Sequence, residues 1–160
     1  MRIDVIQGAN LNMLGRREPE IYGAQTLEEI HRGLADLGRQ LSDGGDLVEL
    51  TFFQSNSEGA LVDRVQACGA DVDAIILNPG AYTHTSVALR DALLAIELPA
   101  VEVHLSNPAA RESFRHRSLI ADVVAGSIVG LGAIGYQLAL QALVTAHRTR
   151  LAVERPAAPG

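Results

Sequence analysis

The chain has 160 residues, of which 48% are hydrophobic and 20% are charged, and its formal net charge is −6. This size and composition predict one globular domain with a substantial core, and the negative charge argues against a general nucleic-acid binder. The sequence contains one cysteine and no lysine, which excludes an internal disulfide, a multi-cysteine metal site, imine-forming catalysis and a P-loop.

Short apolar runs alternate with helical patterns along the chain. Thr26 and Glu29 have the spacing of a capping box, and Ser57 is placed as the cap of the next helix. The predicted strands are residues 3–7, 47–54, 74–77, 100–103 and 123–129. The predicted helices begin at Thr26, Ser57, Ser86, Asn107 and Ile134, and the last of them ends at Ala146. We expect a single catalytic α/β domain over residues 1–150 and a disordered tail over residues 151–160.

Five strands that alternate with helices imply a parallel sheet with right-handed crossovers, and such sheets bind ligands beyond the carboxyl ends of their strands. Polar segments follow four of the predicted strands, at residues 8–22, 54–58, 78–86 and 104–107. All four segments face the same edge of the sheet. The sequence therefore predicts a small-molecule site at that edge.

The connection between the first strand and the first helix is unusually long. It takes about 18 residues, whereas such loops usually need about 2–6. It contains two Asn, a doubled Arg, two Glu and a Tyr, spaced by Gly and Pro. We interpret it as a lid over the site, and we expect residues 16–22 to become ordered when ligand binds.

Other features of the sequence argue against a bound cofactor, a metal site and a membrane-spanning segment. The GxGxxG pattern from Gly130 to Gly135 follows the last strand, so we interpret it as helix packing rather than dinucleotide binding. The five histidines show no metal-ligand spacing, and His31 is interpreted as a surface or helix residue. No charge-free apolar run reaches the roughly 18 residues of a membrane span, and no secretory pattern is present at the start. We expect a cytoplasmic protein.

Four long segments carry a resemblance to a known family. They are NLNMLGRREPEIYG, FFQSNSEGALVDRV, ILNPGAYTHTSVALRDAL and PAVEVHLSNPAARESFRHRS, and they are followed by GSIVGLGAIGYQLAL. Over about residues 3–146 the chain resembles the type II 3-dehydroquinate dehydratases of the shikimate pathway. The resemblance implies a flavodoxin-like three-layer fold with a five-stranded parallel sheet and a dodecamer of four trimers. It also implies a hydro-lyase that makes 3-dehydroshikimate and water from 3-dehydroquinate through an enolate, without metal, imine or other cofactor.

The resemblance assigns catalytic roles to five residues. Tyr22 matches the family's tyrosinate base, and Arg17 matches the cation that keeps the phenol ionised, since a phenol ordinarily ionises near pH ~10. Asn10 matches the asparagine that helps to hold a water at the enolate. His104 matches the general acid for the leaving hydroxyl, and Glu102, two residues earlier on the same strand, matches the carboxylate that orients it.

The resemblance also assigns substrate contacts. Asn78 and the main-chain N–H groups of Leu105 and Ser106 match the pocket for the substrate carboxylate. His84 and Arg115 match the groups that bind ring hydroxyls, and Asp91 matches an acid that enters a neighbouring subunit's site. Glu18 and Arg111 are given a supporting role.

The chain departs from the family pattern at three positions. Gln7 and Ala9 stand where Asn and Pro are common. Without the proline the backbone before Asn10 is less constrained, so the family pattern does not fix the exact position of Asn10. The third departure is Arg64, which stands where an apolar residue is more usual. Two alternatives to the dehydratase remain open at this stage. One is a non-catalytic flavodoxin-like binding or assembly module, and the other is a different lyase or isomerase with the same architecture.

Overall fold

The computed structural model describes residues 1–16 and 24–154. Within them the chain forms five strands, which are β1 (Arg2–Gln7), β2 (Glu49–Gln54), β3 (Ala74–Asn78), β4 (Ala100–His104) and β5 (Gly126–Val129). It also forms four α-helices, which are α1 (Leu27–Leu41), α2 (Glu58–Asp71), α3 (Val87–Ile96) and α4 (Ile134–Glu154). All strand pairs are parallel, and the strand order in the sheet is β2-β1-β3-β4-β5.

Helices cover both faces of the sheet. On one face, Ile3 and Val5 of β1 share a core with Leu34 of α1 and Leu140 of α4. On the other, a second core joins residues of the strands to α2 and α3, including Ile6, Leu61, Ile75, Leu77 and Leu89. Strands buried on both faces read as almost continuous apolar runs, which is why their sequence pattern is not alternating. The α/β fold, with its three layers and five-stranded parallel sheet, is confirmed.

The predicted helix caps are present. The Thr26 hydroxyl accepts a hydrogen bond from the Glu29 N–H at 3.2 Å, and the Glu29 carboxylate accepts one from the Thr26 N–H at 2.8 Å. The Ser57 and Ser86 hydroxyls cap α2 and α3 in the same way. These bonds satisfy N–H groups that the first turn of a helix leaves unpaired.

Three elements differ from the sequence prediction by more than two residues or in type. β5 begins at Gly126 rather than at residue 123, because Val123 N–H closes a turn on the Ile120 carbonyl at 3.0 Å. The helix predicted from Asn107 is instead two short 3₁₀ turns, Pro108–Ala110 and Ser113–Arg115. α4 continues past Ala146 to Glu154.

The extension of α4 has a local cause. The guanidinium of Arg148 donates to the Asp46 carboxylate at 2.8 Å and to the Leu41 carbonyl at 2.6 Å, and this anchors the helix beyond Ala146. The predicted tail boundary at residue 151 therefore lies within α4. Residues 155–160 are outside the described part of the chain, so the division into a domain and a disordered tail stays a prediction.

Across residues 1–16 and 24–154, none of the helices combines the length and the apolar character needed to cross a membrane.

Candidate active site

A cleft opens at the carboxyl edge of the sheet, where β1 and β3 end side by side. The Gly8 N–H donates to the Asn78 carbonyl at 2.8 Å, which ties the two strand ends together. A Cβ atom at Gly8 would lie 2.1 Å from the Pro79 carbonyl oxygen, so only glycine allows this approach. The empty space of the cleft, including its open mouth, is about 730 Å³.

Most of the predicted site residues line this one cleft. They come from the ends of β1, β3 and β4 and from the turns that follow those strands. The predicted residues along its wall are Asn10, Asn78, His84, His104, Leu105, Ser106, Arg111 and Arg115.

Five predicted residues are not among these, and one of them, Glu102, is buried next to His104. Arg17, Glu18 and Tyr22 lie outside the described residues. Asp91 is exposed on α3 and stands outside the cleft of its own chain. The proposed base and its cation therefore stay sequence predictions.

His104 and Glu102 form a hydrogen-bonded pair on β4. Their side chains share one face of the strand, and His104 Nε2 lies 2.8 Å from Glu102 Oε1. The histidine side chain is 11% exposed and the glutamate side chain is 1% exposed. Because a carboxylate only accepts, Nε2 carries the proton in this bond and Nδ1 is the ring nitrogen left for the cleft.

Three hydroxyl groups surround the buried carboxylate of Glu102. Thr83 donates to Oε1, Ser118 lies 3.0 and 3.1 Å from the two oxygens, and Ser127 lies 3.2 Å from Oε2. Burial alone would raise the pKa of Glu102, but the hydrogen bonds from His104, Thr83 and Ser118 outweigh it and lower the pKa from its ordinary value. Glu102 is therefore held as a carboxylate beneath the histidine.

The sequence analysis did not identify these hydroxyl residues. Thr83, Ser118 and Ser127 all lie in segments that carry the family resemblance, but none of the three was assigned a role. Ser127 reaches Glu102 because the two residues are register partners on β4 and β5. That pairing depends on the sheet and has no local sequence signal.

Asn10 is held in place by its backbone. It adopts a left-handed conformation with φ of 68°, which asparagine tolerates better than most residues. Its N–H donates to the Asn56 side-chain oxygen at 2.8 Å, and Gln54 donates to the same oxygen at 3.2 Å. The side chain of Asn56 thus fixes Asn10 in a chain that has Ala9 in place of proline. Asn56 lies in the polar segment 54–58 and was not singled out by the sequence analysis.

His84 stands beside His104 at the cleft wall. Its Nδ1 lies 2.8 Å from the Arg117 carbonyl oxygen, and because a carbonyl only accepts, this nitrogen carries a proton. Its Nε2 is then the ring nitrogen available to a ligand. The two imidazole rings are nearly parallel, with centroids 6.4 Å apart.

Two arginines give the mouth of the cleft positive charge. Arg111 and Arg115 both line it, and both contact the Glu112 carboxylate, at 3.4 and 2.9 Å respectively. Because arginine is permanently charged, these two side chains place cationic groups at the mouth of the cleft in an otherwise acidic protein. Such a cleft favours an anionic ligand.

The glycine-rich segment after β5 supports the loop that follows β4. Gly130 N–H donates to the carbonyls of His104 and Ser106, and Gly132 N–H donates to the carbonyl of Leu105. At Gly135, an added Cβ would contact Val103 and Ile128 at 3.4 Å. These contacts are the packing role that was predicted for the GxGxxG pattern.

In the described part of the chain, no three His, Cys, Asp or Glu side chains are grouped as metal ligands would be. The absence of a metal from the reaction stays a prediction.

Sequence comparison identifies a family and relatives of this chain. The sequence matches the family described as "Dehydroquinase class II" over residues 1–144. A 3-dehydroquinate dehydratase of Campylobacter hominis is 54% identical over 144 residues, which cover 90% of each chain. One of Sulfurovum sp. is 57% identical over 140 residues, which cover 88% of this chain and 83% of the relative.

Solved structures agree with the sequence relatives. The type II dehydroquinase of Butyrivibrio crossotus superposes with a TM-score of 0.85 at 42% identity, covering 89% of this chain and 97% of that one. The corresponding enzyme of Propionibacterium acnes superposes with a TM-score of 0.82 at 42% identity, covering 90% and 96%. The chain therefore belongs to the class II dehydroquinase family and is a hydro-lyase of that family.

Proposed function

We propose that this hydro-lyase removes water from 3-dehydroquinate to give 3-dehydroshikimate, as a step of the shikimate pathway. The observation that carries the proposal is the cleft in which Asn10, Asn78, His84 and the His104–Glu102 pair meet at one edge of the sheet. The relatives named as 3-dehydroquinate dehydratases support the choice of substrate.

The reaction begins with the removal of a proton from the carbon next to the ketone. The proposed base is the phenolate of Tyr22, kept ionised by the permanently charged Arg17, and both assignments rest on the family resemblance. The resulting enolate needs a hydrogen-bond donor at its oxygen. Asn10, which Asn56 holds just beyond the end of β1, is proposed to hold a water molecule that donates this hydrogen bond to the enolate oxygen.

The departing hydroxyl then needs a proton. The proposed donor is His104 in its doubly protonated form, acting through Nδ1, because Nε2 is bonded to Glu102. The charged Glu102 stabilises that imidazolium and fixes the plane of the ring. The enolate oxygen re-forms the ketone carbonyl, and the electrons of the enolate double bond form the new double bond to the carbon that carried the hydroxyl. The C–O bond of that hydroxyl breaks as it takes the proton from His104, and it leaves as water.

The substrate is held by groups around this centre. Asn78 and the N–H groups of Leu105 and Ser106 are proposed to bind its carboxylate, and His84 and Arg115 its ring hydroxyls. The positive charge of Arg111 and Arg115 favours entry of the anion. We further propose that Asp91 completes the site of a neighbouring subunit in a dodecamer of four trimers.

The direct test is an ultraviolet assay for the enone product, with purified protein and 3-dehydroquinate. We expect turnover that borohydride and chelators do not reduce. Tyr22→Phe and His104→Ala should each lower kcat by about 10²- to 10⁴-fold, the usual contribution of a general acid or base. Tyr82→Phe and His147→Ala are the matched controls and should remain active.

Each variant is checked by circular dichroism, so that a folding defect is not mistaken for lost chemistry. Normal turnover by both Tyr22→Phe and His104→Ala would refute the mechanism. A wild-type protein that binds quinate-like acids without turnover would instead favour a binding module.

A further inference from the structure

Three buried polar side chains lie behind the cleft, on the face of the sheet that α1 and α4 cover. Gln7 ends β1, Asn78 ends β3, and the two are register partners. Tyr136, in the first turn of α4, lies against them. Gln7 and Tyr136 are fully buried and Asn78 is 2% exposed. Polar groups this deeply buried need partners, so the direction of each hydrogen bond is informative.

The direction of the first bonds is set by the main chain. The Gly80 N–H, which only donates, contacts Asn78 Oδ1 at 3.2 Å. The amide nitrogen of Asn78 therefore faces the Tyr136 hydroxyl, to which it donates at 2.9 Å. The phenol oxygen accepts this bond, so its own proton needs a different acceptor.

Gln7 is the neighbour that can supply that acceptor. Gln7 lies beside Asn78 on the neighbouring strand, and Asn78 is bonded to the buried Tyr136 hydroxyl, so the Gln7 amide is the next polar group along this face. Burial raises the pKa of Tyr136 to about 12, so the phenol keeps its proton. With Gln7 Oε1 placed 2.6 Å from His31 Nε2, the buried Gln7 Nε2 has no partner among the described residues. A buried amide nitrogen without a partner is costly.

Rotating the Gln7 amide by 180° satisfies every group. Gln7 Oε1 then accepts the Tyr136 proton, and Gln7 Nε2 donates to the ring nitrogen of His31. This requires a neutral His31 with its proton on Nδ1. His31 is half-buried, stacked on Phe52 at 4.3 Å, and burial lowers its pKa, which favours the neutral ring. His31 is a residue of helix α1, in line with its interpretation as a surface or helix residue, and its ring also contacts the buried Gln7.

We propose that Tyr136 and Gln7 are positioning residues for Asn78, in a one-way hydrogen-bond chain that runs from Asn78 through Tyr136 and Gln7 to His31. The chain occupies one N–H of the Asn78 amide and leaves the other for the substrate carboxylate in the cleft. This inference rests on the proposed function for its substrate. Its hydrogen-bond directions rest on the buried contacts alone.

The first test needs no substrate. Nitrogen-15 NMR of the wild-type protein distinguishes the two tautomers of the His31 ring, and the loss of signals in His31→Phe assigns them. We expect the Nδ1–H tautomer near neutral pH. The Nε2–H tautomer would overturn the proposed chain.

The second test uses Tyr136→Phe, which keeps the ring and removes the hydroxyl. We expect KM for 3-dehydroquinate to rise by about tenfold, near the lower end of what a hydrogen bond to a charged group contributes, with kcat within about twofold of wild type. Thr149→Val is the control, because it removes an exposed hydroxyl of the same helix, bonded to the Thr145 carbonyl at 2.9 Å, and should leave KM unchanged.

An unchanged KM in a folded Tyr136→Phe protein would overturn the positioning role, as would a fall in kcat at constant KM. If Tyr136→Phe does not fold, the wild-type tautomer decides. A wild-type protein without dehydratase activity would refute the proposed function while leaving the NMR test intact.

Discussion

Glu102 is a buried charge whose cost is offset by its neighbours. Its two oxygens receive hydrogen bonds from His104 and from the hydroxyls of Thr83, Ser118 and Ser127. A carboxylate bonded in this way stays ionised, and an ionised Glu102 keeps the His104 ring in one orientation. The hydroxyls therefore act on the proposed acid through the carboxylate, without touching the substrate.

Removing one of these hydroxyls should weaken the acid. We expect Ser127→Ala to lower kcat by about three- to tenfold with little change in KM, the equivalent of ~0.7–1.4 kcal/mol, which is the usual net contribution of one hydrogen bond. Ser127→Thr keeps a hydroxyl at a strand position that favours β-branched residues, and should restore kcat. Steady-state kinetics measure both variants, and equal loss in Ser127→Ala and Ser127→Thr would contradict the role of the hydroxyl.

The lowered pKa of Glu102 also predicts acid sensitivity. In the unfolded chain this group binds a proton at a higher pH than in the folded protein, where the ordinary value of 4.5 is lowered. Its contribution to stability is thus complete above about pH 4.5 and is lost as pH falls further through the folded pKa.

Glu102→Gln removes this titration, so its Tm should fall less than that of wild type between about pH 6 and pH 3.5. Glu49→Gln, at an exposed position on β2, is the control and should follow wild type. Thermal unfolding followed by circular dichroism gives the slopes. If Tm fell equally with pH in wild type and in Glu102→Gln, the ionisation of Glu102 would not contribute to the acid sensitivity of the fold.

Strand β1 and helix α2 are joined by a buried ion pair, which explains the unusual Arg64. The fully buried Asp4 accepts from Arg64 Nε at 2.6 Å and from Arg64 Nη2 at 2.8 Å. Thr51 and Cys68 donate to the same carboxylate, at 2.6 and 3.2 Å. Burial raises the pKa of the Cys68 thiol to about 12, so it remains a donor. Arg64 therefore compensates an acid in the core.

Removing only one partner of this ion pair should lower the stability of the protein. Arg64→Met leaves Asp4 charged and buried without its cation, and we expect the free energy of unfolding to fall by roughly 3 kcal/mol, near the lower end for a buried pair because Arg64 is partly exposed. The double variant Asp4→Val/Arg64→Met should lie within about 1 kcal/mol of wild type.

Urea unfolding at fixed protein concentration measures these differences. Arg32→Met removes an exposed arginine that contacts Glu28 at 3.5 Å, and should change stability by less than about 0.5 kcal/mol. If the single and double variants lost equal stability, the loss would come from packing rather than from the unpaired charge.

For the molecule as a whole, the exposed face of α3 is the main feature relevant to assembly. Val87 and Leu94 are 58% and 52% exposed, and Asp91 lies between them on the same side of the helix. A subunit that covered these apolar side chains would also bring Asp91 to the partner. The proposed oligomer and the proposed role of Asp91 therefore involve one surface.

Two variants of this α3 surface distinguish an effect on activity alone from an effect on assembly. Asp91→Asn should assemble normally and lower kcat/KM by about tenfold, since it loses a charged hydrogen bond to the neighbouring site. Leu94→Glu should disrupt assembly and activity together. Sedimentation gives the mass, which we expect for wild type to be about twelve times the 17.0 kDa of one chain. A fully active monomer would contradict the shared surface.

Local signals were sufficient for much of the fold. The caps at Thr26 and Ser57 were predicted correctly because each depends on residues within one helical turn. The parallel sheet followed from apolar runs that alternate with helical patterns. The shared edge of the site followed in turn, because parallel strands all end on the same side of a sheet.

Other features depend on contacts between residues far apart in sequence, and here sequence reasoning was incomplete. Ser118 and Ser127 belong to the site because strand pairing and a turn bring them to Glu102, and Asn56 belongs to it because its side chain supports the Asn10 backbone. The same holds for the buried contacts of Gln7 with His31 and Tyr136. Local patterns report chain periodicity and capping, whereas the partners of a buried polar group are set by how distant elements pack.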